Sequence, residues 1–287
     1  MNKVISLLFI ALIIQYTSQA NGPAVKSIVL PNQVKLEYAE QGDPKGPTLI
    51  LLHGYTDSWH SYETLLAELP QNIHAFAISQ RGHGNSDKPL LGYHPDDFAG
   101  DIAAFIETLG LCQVVIAGHS MGAAITQSFV IKYPHHVKGL VLIASFASFS
   151  KNPAVGGLKE MVMQFRDPVD SAFADGFQRS TLVKPIDSVY LNKLIRESLK
   201  VPARVWKGAL IGMLSADYTI ALQSVKKPMT ILWGDKDEFC PRADQLILKN
   251  SVKGAVLKTY PGTGHAVHWE NPKTVARDIA DFIKRIG

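Results

Sequence analysis

The stretch 114–133 constrains this chain more than any other. Val114-Val115-Ile116-Ala117 is a short apolar run of the kind that forms a buried strand. Gly118-His119-Ser120-Met121-Gly122 follows directly, and a helix-like segment, 123–133, begins at once. Strand, sharp turn and helix in so few residues require a backbone that doubles back tightly. Glycines two residues either side of Ser120 let the strand and the helix approach each other, and they leave the serine hydroxyl held out above the sheet. The helix N-terminus lies just behind it, where free N–H groups favour developing negative charge. The placement suits a nucleophile.

Other β-type runs recur around this one, at 26–30, 35–39, 48–52, 74–78, 113–117, 139–143, 229–233 and 256–260. The middle and later ones are mostly unbroken apolar runs, as expected of strands buried on both faces. Helical patterns alternate with them. Phe98, Ile102, Phe105, Ile106 and Leu109 form one helical stripe, and Asn271-Pro272 is a start signal for a last helix over 275–286. The first two strands can pair as a hairpin around Pro31-Asn32, and the rest read as a mostly parallel sheet with right-handed crossovers. The expected fold is therefore α/β: an eight-stranded, mostly parallel sheet flanked by helices.

One stretch breaks the alternation. Over 150–224 no strand pattern appears, and helical pieces are expected at 155–165, 171–180, 187–199 and 203–214. This reads as a helical cap inserted before the penultimate strand, with the core formed by 21–149 and 225–287. The cap is rich in Met and aromatic residues, most of which serve its own packing. Trp206, Ala209 and Met213 share one helical face, so Trp206 and Met213 are the candidates for lining a pocket beneath it.

Residues 1–20 have the form of a secretory leader: Lys3, an apolar run over 4–14 broken only by Ser6, and Ser18-Gln19-Ala20 with small residues at the positions a signal peptidase reads. The run is short of the roughly 20 residues needed to span a bilayer, so a cleaved leader is preferred to a retained anchor, and an exported, periplasmic or secreted chain is expected. Hydrophobic content of 46% and charged content of 19% are those of an ordinary globular protein. The formal charge is +4, and no basic run suggests nucleic acid. Cys112 and Cys240 form neither a disulfide framework nor a metal motif. Cys112 precedes its strand and Cys240 follows its own. The two belong at opposite edges of the sheet, beyond the roughly 7 Å Cα limit for a bridge, and should be unpaired.

A serine hydroxyl needs a base to take its proton. In open α/β sheets ligands bind at the carboxyl ends of the strands, so an acid and a histidine are sought just after later strands. Gly234-Asp235-Lys236-Asp237 follows the strand ending at Trp233, and Gly262-Thr263-Gly264-His265 follows the last one. With these, four blocks occur in order: His53-Gly54-Tyr55, Arg81-Gly82-His83-Gly84-Asn85-Ser86, the serine turn, and the paired Asp237 and His265 blocks. Together they make the chain, from about Val34 to its end, resemble an α/β-hydrolase of the serine-nucleophile, esterase-like branch.

The resemblance implies roles. Ser120 would be the nucleophile, His265 the base and then the acid, and Asp237 the group that orients His265 and stabilises its imidazolium. The backbone N–H groups of Tyr55 and Met121 would form the oxyanion hole, with His53 bracing that loop. Spacing from Gly234 favours Asp237 over Asp235 and Glu238. His268 lacks the turn glycine that precedes His265, and His119 should be structural. Relatives usually carry an aspartate two residues before Arg81, where this chain has Ser79, and a small structural change is expected there.

Ser120 argues against epoxide hydrolases and haloalkane dehalogenases, which carry aspartate at the turn. His53-Gly54-Tyr55-Thr56-Asp57 differs from the His-Gly-Gly-Pro-Gly block of proline iminopeptidases and from the glycine-richer block of carbon–carbon-bond hydrolases. The resemblance therefore implies hydrolysis of a small to medium ester through an acyl-enzyme, with no cofactor and no metal. Same-chemistry alternatives are a lactonase or a cofactor-free perhydrolase. A different-class alternative is a ligand-binding receptor that keeps the triad. The expected partner is a small-molecule ester or lactone, with no stable membrane span once the leader is removed.

Overall fold

The computed structural model describes residues 22–151 and 155–287. The expected leader, 1–20, lies outside the described residues. All eight expected strands form: β1 (Ala24–Val29), β2 (Lys35–Gln41), β3 (Thr48–Leu52), β4 (His74–Ser79), β5 (Val114–His119), β6 (Val137–Ile143), β7 (Met229–Gly234) and β8 (Val256–Tyr260). They make one sheet in the order β1-β2-β4-β3-β5-β6-β7-β8. β1 and β2 pair antiparallel, as do β2 and β4, and all later pairings are parallel. The hairpin turns at 31–33, where Gln33 takes φ 65° and its N–H donates to Leu30 O at 2.8 Å.

Alternation along the central strands explains why their sequences are apolar throughout. In β3, Ile50 and Leu52 enter the core on one face while Leu49 and Leu51 enter the core on the other. All four are fully buried, each worth about 1.5–3 kcal/mol by apolar burial. β5 splits in the same way, Val114 and Ile116 against Val115 and Ala117.

α2 (Pro95–Thr108) and α3 (Met121–Lys132) cover the first face. α1 (Glu63–Glu68), α9 (Val267–Glu270) and α10 (Pro272–Ile286) cover the second. α8 (Arg242–Ser251) lies between β7 and β8. α2 starts on a capping box, with His94 accepting from Asp96 N while the Asp97 carboxylate accepts from His94 N. Three helices have no clear sequence signal, for physical reasons. α1 and α9 are too short to show a period, and α8 buries only Gln245 and Leu248, too little for an apolar stripe.

Between β6 and β7 lie α4 (Val155–Met163), α5 (Ser171–Ser180), α6 (Ser188–Leu199) and α7 (Ala203–Ser215), within a residue or two of the expected pieces. They do not enclose a separate core. Val205, Trp206, Leu210 and Met213 of α7 belong to the same apolar cluster as the α2–α3 face of the sheet. Tyr190 and Leu194 of α6 pack with Ala266 and Trp269 at the other end of the chain.

Candidate active site

Strand order decides what meets at the carboxyl edge. Leu52 pairs with Gly118, so the segment leaving β3 emerges beside the serine turn. Gly234 pairs with Tyr260, so the segments leaving β7 and β8 emerge side by side. At about 4.8 Å per strand, however, β8 lies some 14 Å from β5, and the segment after β8 must run back over the sheet to reach it. It does so: His119 at the end of β5 has its Nε2 3.1 Å from His265 O, and the two rings are 4.8 Å apart.

The serine turn is as tight as its glycines suggested. A Cβ at Gly118 would lie 2.1 Å from Gly122 O, and one at Gly122 would lie 2.1 Å from Leu52 O. No side chain fits either position. Ser120 itself sits at φ 51°, ψ −112°, a strained conformation for a residue with a side chain. Its N–H donates to Ile143 O at 3.0 Å, and the residue is 8% exposed. Among the described residues, its hydroxyl has no hydrogen-bond partner, and the Tyr55 and Met121 N–H groups have no protein acceptor. The register that sets Leu52 beside Gly118 puts those two N–H groups on flanking segments.

His265 Nδ1 donates to Asp237, 3.0 Å from each carboxylate oxygen. Asp237 Oδ1 also accepts from Phe239 N and Cys240 N at 2.9 Å, so a short turn locks the carboxylate. Both side chains are buried. The carboxylate assigns the proton to Nδ1 and leaves Nε2 with its lone pair. Asp235 is exposed and serves another purpose, accepting from Gly262 N at 2.6 Å. His268 points elsewhere: its Nε2 is 3.0 Å from Ser61 Oγ, and burial pushes its pKa down to about 3. Burial, with His268 and His265 nearby, also holds His119 well below the usual histidine value.

His53 braces its loop. Its Nδ1 donates to Gly54 O at 2.8 Å and its Nε2 accepts from Gln80 N at 3.0 Å. The missing acid at Ser79 is replaced from another strand. Glu37 of β2 accepts from Ser79 Oγ at 3.2 Å and from Asn85 Nδ2 at 2.7 Å, so a carboxylate still ties this loop. Sequence reading missed Glu37 because its position is set by the antiparallel β2–β4 register, Glu37 opposite Ser79.

Trp206 and Met213, the pocket-lining candidates, are both buried. Trp206 is fully enclosed and Met213 is 2% exposed. Trp206 is the hub of an aromatic cluster, with Tyr55, Phe165, Phe173 and Phe177 rings at 5.2, 5.5, 5.9 and 5.8 Å. Phe165, Phe173 and Phe177 are half-buried. Phe177 of α5 reaches Phe239 at 6.2 Å, and Phe239 lies 5.0 Å from the His265 ring. An apolar wall thus runs from the cap to the histidine. A groove of about 540 Å³ flanks the acid–base pair on its outer side, between Leu182 and Val183 of the cap and the Asp237 and His265 loops. A second hollow of about 570 Å³, around Cys112 and Lys138, lies at the amino edge of the sheet, away from this chemistry.

Asp237, Cys240 and His265 bring their potential ligand atoms within 4.8 Å of one another. Two of the three are already bonded to each other. Burial pushes the Cys240 thiol well above its ordinary value, and it donates to Ala144 O at 3.2 Å. The arrangement orients an imidazole better than it would hold a cation. Cys240 and Cys112 are both unpaired, as their opposite sheet edges require. No helix among the described residues is long and apolar enough to cross a membrane.

Residues 43–272 match the family model described as serine aminopeptidase, S33. The chain is 28% identical to a 2-(acetamidomethylene)succinate hydrolase of Mesorhizobium japonicum, covering 88% of this chain and 92% of that protein. It is also 28% identical to a bifunctional esterase/perhydrolase of Acinetobacter calcoaceticus, covering 88% and 96%. Its fold is that of an esterase from Exiguobacterium antarcticum, with a TM-score of 0.82 at 21% identity over 90% of this chain and 99% of that one.

Proposed function

The chain belongs to the α/β-hydrolase family described as serine aminopeptidase, S33, and from that premise we propose that it is a serine hydrolase cleaving small to medium carboxylic esters through an acyl-enzyme. One observation carries the reading. A strained serine stands at a strand–helix turn, at the same sheet edge as a buried histidine whose Nδ1 is bonded to a carboxylate at 3.0 Å. The esterase and perhydrolase names of relatives and fold neighbours support it.

In this reading His265 Nε2 takes the Ser120 proton as Oγ bonds to the ester carbonyl carbon. The carbonyl electron pair moves onto oxygen, where the Tyr55 and Met121 N–H groups receive it. Collapse expels the alcohol, which takes the proton back from His265. Water then repeats the sequence on the acyl-enzyme, releasing the acid and restoring Ser120. Asp237 holds the imidazole in the needed tautomer and stabilises the imidazolium. Residues 1–20 as a cleaved export leader complete the proposal, and N-terminal sequencing of the mature protein tests that part.

The main test is turnover on p-nitrophenyl esters, lactones and aminoacyl p-nitroanilides. Multiple turnovers on short-chain esters are expected, with a loss on the order of 10⁴-fold or more in Ser120→Ala. A serine-directed phosphonate should label Ser120 alone. Stoichiometric labelling that survives Ser120→Ala would sink the assignment. Single-turnover behaviour would indicate a receptor, faster lactone opening a lactonase, and faster anilide cleavage a peptidase.

A further inference from the structure

The loop that supplies one half of the oxyanion hole is bonded to the cap at three successive residues. Tyr55 Oη donates to Trp206 O of α7 at 2.6 Å. Thr56 Oγ1 lies 3.3 Å from Ser198 Oγ of α6. Asp57 Oδ1 accepts from Gln178 Nε2 of α5 at 2.9 Å, and the same amide nitrogen donates to Ser198 Oγ at 2.6 Å. Asp57, Ser198 and Gln178 are all buried.

The loop needs such support. Thr56 has φ 66°, in the left-handed region that a β-branched side chain avoids, and such a conformation persists only where its surroundings over-determine it. Here the over-determination comes from the cap. The other oxygen of Asp57 accepts from Ser61 Oγ at 3.2 Å, and Ser61 contacts His268, three residues beyond His265. One carboxyl group therefore joins the cap, the oxyanion loop and the base loop.

We propose that Asp57 and Gln178 are a positioning pair that fixes the oxyanion loop to the cap, so that the hole is complete only when the cap is docked. Neither residue touches the reacting atoms in this account. It rests on the proposed acyl transfer for its kinetic consequence, but the loop's dependence on the cap is a structural statement with its own readout.

The test compares wild type with Asp57→Ala, Asp57→Asn, Gln178→Met and the Asp57→Ala/Gln178→Met double variant. Kinetics on p-nitrophenyl butyrate are read alongside hydrogen exchange of the amides over 53–58. Asp57→Ala and Gln178→Met should each lower kcat about 10- to 100-fold, the scale of a small misplacement of reacting groups, with KM little changed. The losses in the double variant should be clearly less than additive, because the Asp57–Gln178 link is lost either way. Asp57→Asn keeps an acceptor oxygen and should restore most of the rate. Exchange over 53–58 should speed up in Asp57→Ala and Gln178→Met and stay near wild type in Asp57→Asn. Full kcat in either of those two single variants, additive losses in the double variant, or an Asp57→Asn as slow as Asp57→Ala would each overturn the pairing. If the wild type hydrolyses no ester, the acyl-transfer reading fails and exchange alone decides: faster exchange over 53–58 in Gln178→Met upholds the link, and unchanged exchange overturns it.

Discussion

Two carboxylates near one imidazole have opposite environments. Asp237 receives two backbone N–H bonds and the His265 Nδ1–H. Asp57 is buried, with the Gln178 and Ser61 side chains donating to it, and burial pushes its carboxyl up to about 7. For Asp237 the expected result of Asp237→Asn is a fall in kcat of about 10⁴-fold by loss of the correct tautomer, with Asp235→Asn costing far less. Steady-state kinetics of the two variants decide it, and a reversed order would make Asp235 the residue that orients His265. For Asp57 the consequence is a stability slope. A folded-state pKa raised above the unfolded value means stability that is full below about pH 4 and lost as pH rises through about 7. Asp57→Asn cannot ionise. Its melting temperature should therefore exceed that of wild type by a few degrees at pH 8, with the gap closing towards pH 5. A gap that is constant with pH would contradict the burial of this carboxyl.

At the scale of elements, the cap helices divide their aromatic residues between support and contact. Trp206 on α7 is enclosed by four rings, while Phe177 on α5 and Phe239 after β7 are half-buried and lead to His265. Trp206→Ala should lower the melting temperature and reduce turnover of acetate and octanoate esters alike, since a cavity in the cluster loosens the whole cap. Phe177→Ala should instead change the acetate-to-octanoate ratio, on the scale of about 1–3 kcal/mol per methylene accommodated. Comparing kcat/KM for the two esters in both variants checks the division. Equal losses in Phe177→Ala would make it a support residue as well. The turn glycines give a sharper element-level case: the Gly122→Ala Cβ would fall 2.1 Å from a backbone oxygen of β3, so β5, α3 and the loop after β3 would all have to move.

Across the whole molecule, the cap has no core of its own apart from the sheet domain: α7 joins the apolar cluster on the α2–α3 face, and α6 packs on Ala266 and Trp269. The described chain should accordingly unfold in one step. Far-ultraviolet and near-ultraviolet circular dichroism should give coincident urea transitions, and two separated transitions would mean that the cap melts on its own. With both cysteines free, a reductant should leave the midpoint where it was.

Much of this was legible in the sequence for local reasons. Strands β3 to β7 announced themselves because burial on both faces favours apolar runs, and Ser120, Asp237 and His265 stood out as candidates because each follows a strand within a short glycine turn. Local chemistry also decided that Cys112 and Cys240 could not meet, since they lie at opposite ends of their strands. Tertiary structure alone decided the rest, because those contacts depend on residues distant in sequence. Glu37 replaces the missing acid at Ser79 only through an antiparallel register, and Trp206 is enclosed only because rings from three other segments surround it. Asp57 meets Gln178, 121 residues away, only once the cap has folded over the carboxyl edge of the sheet. A polar side chain reads as surface in sequence, and three-dimensional packing makes it a buried node.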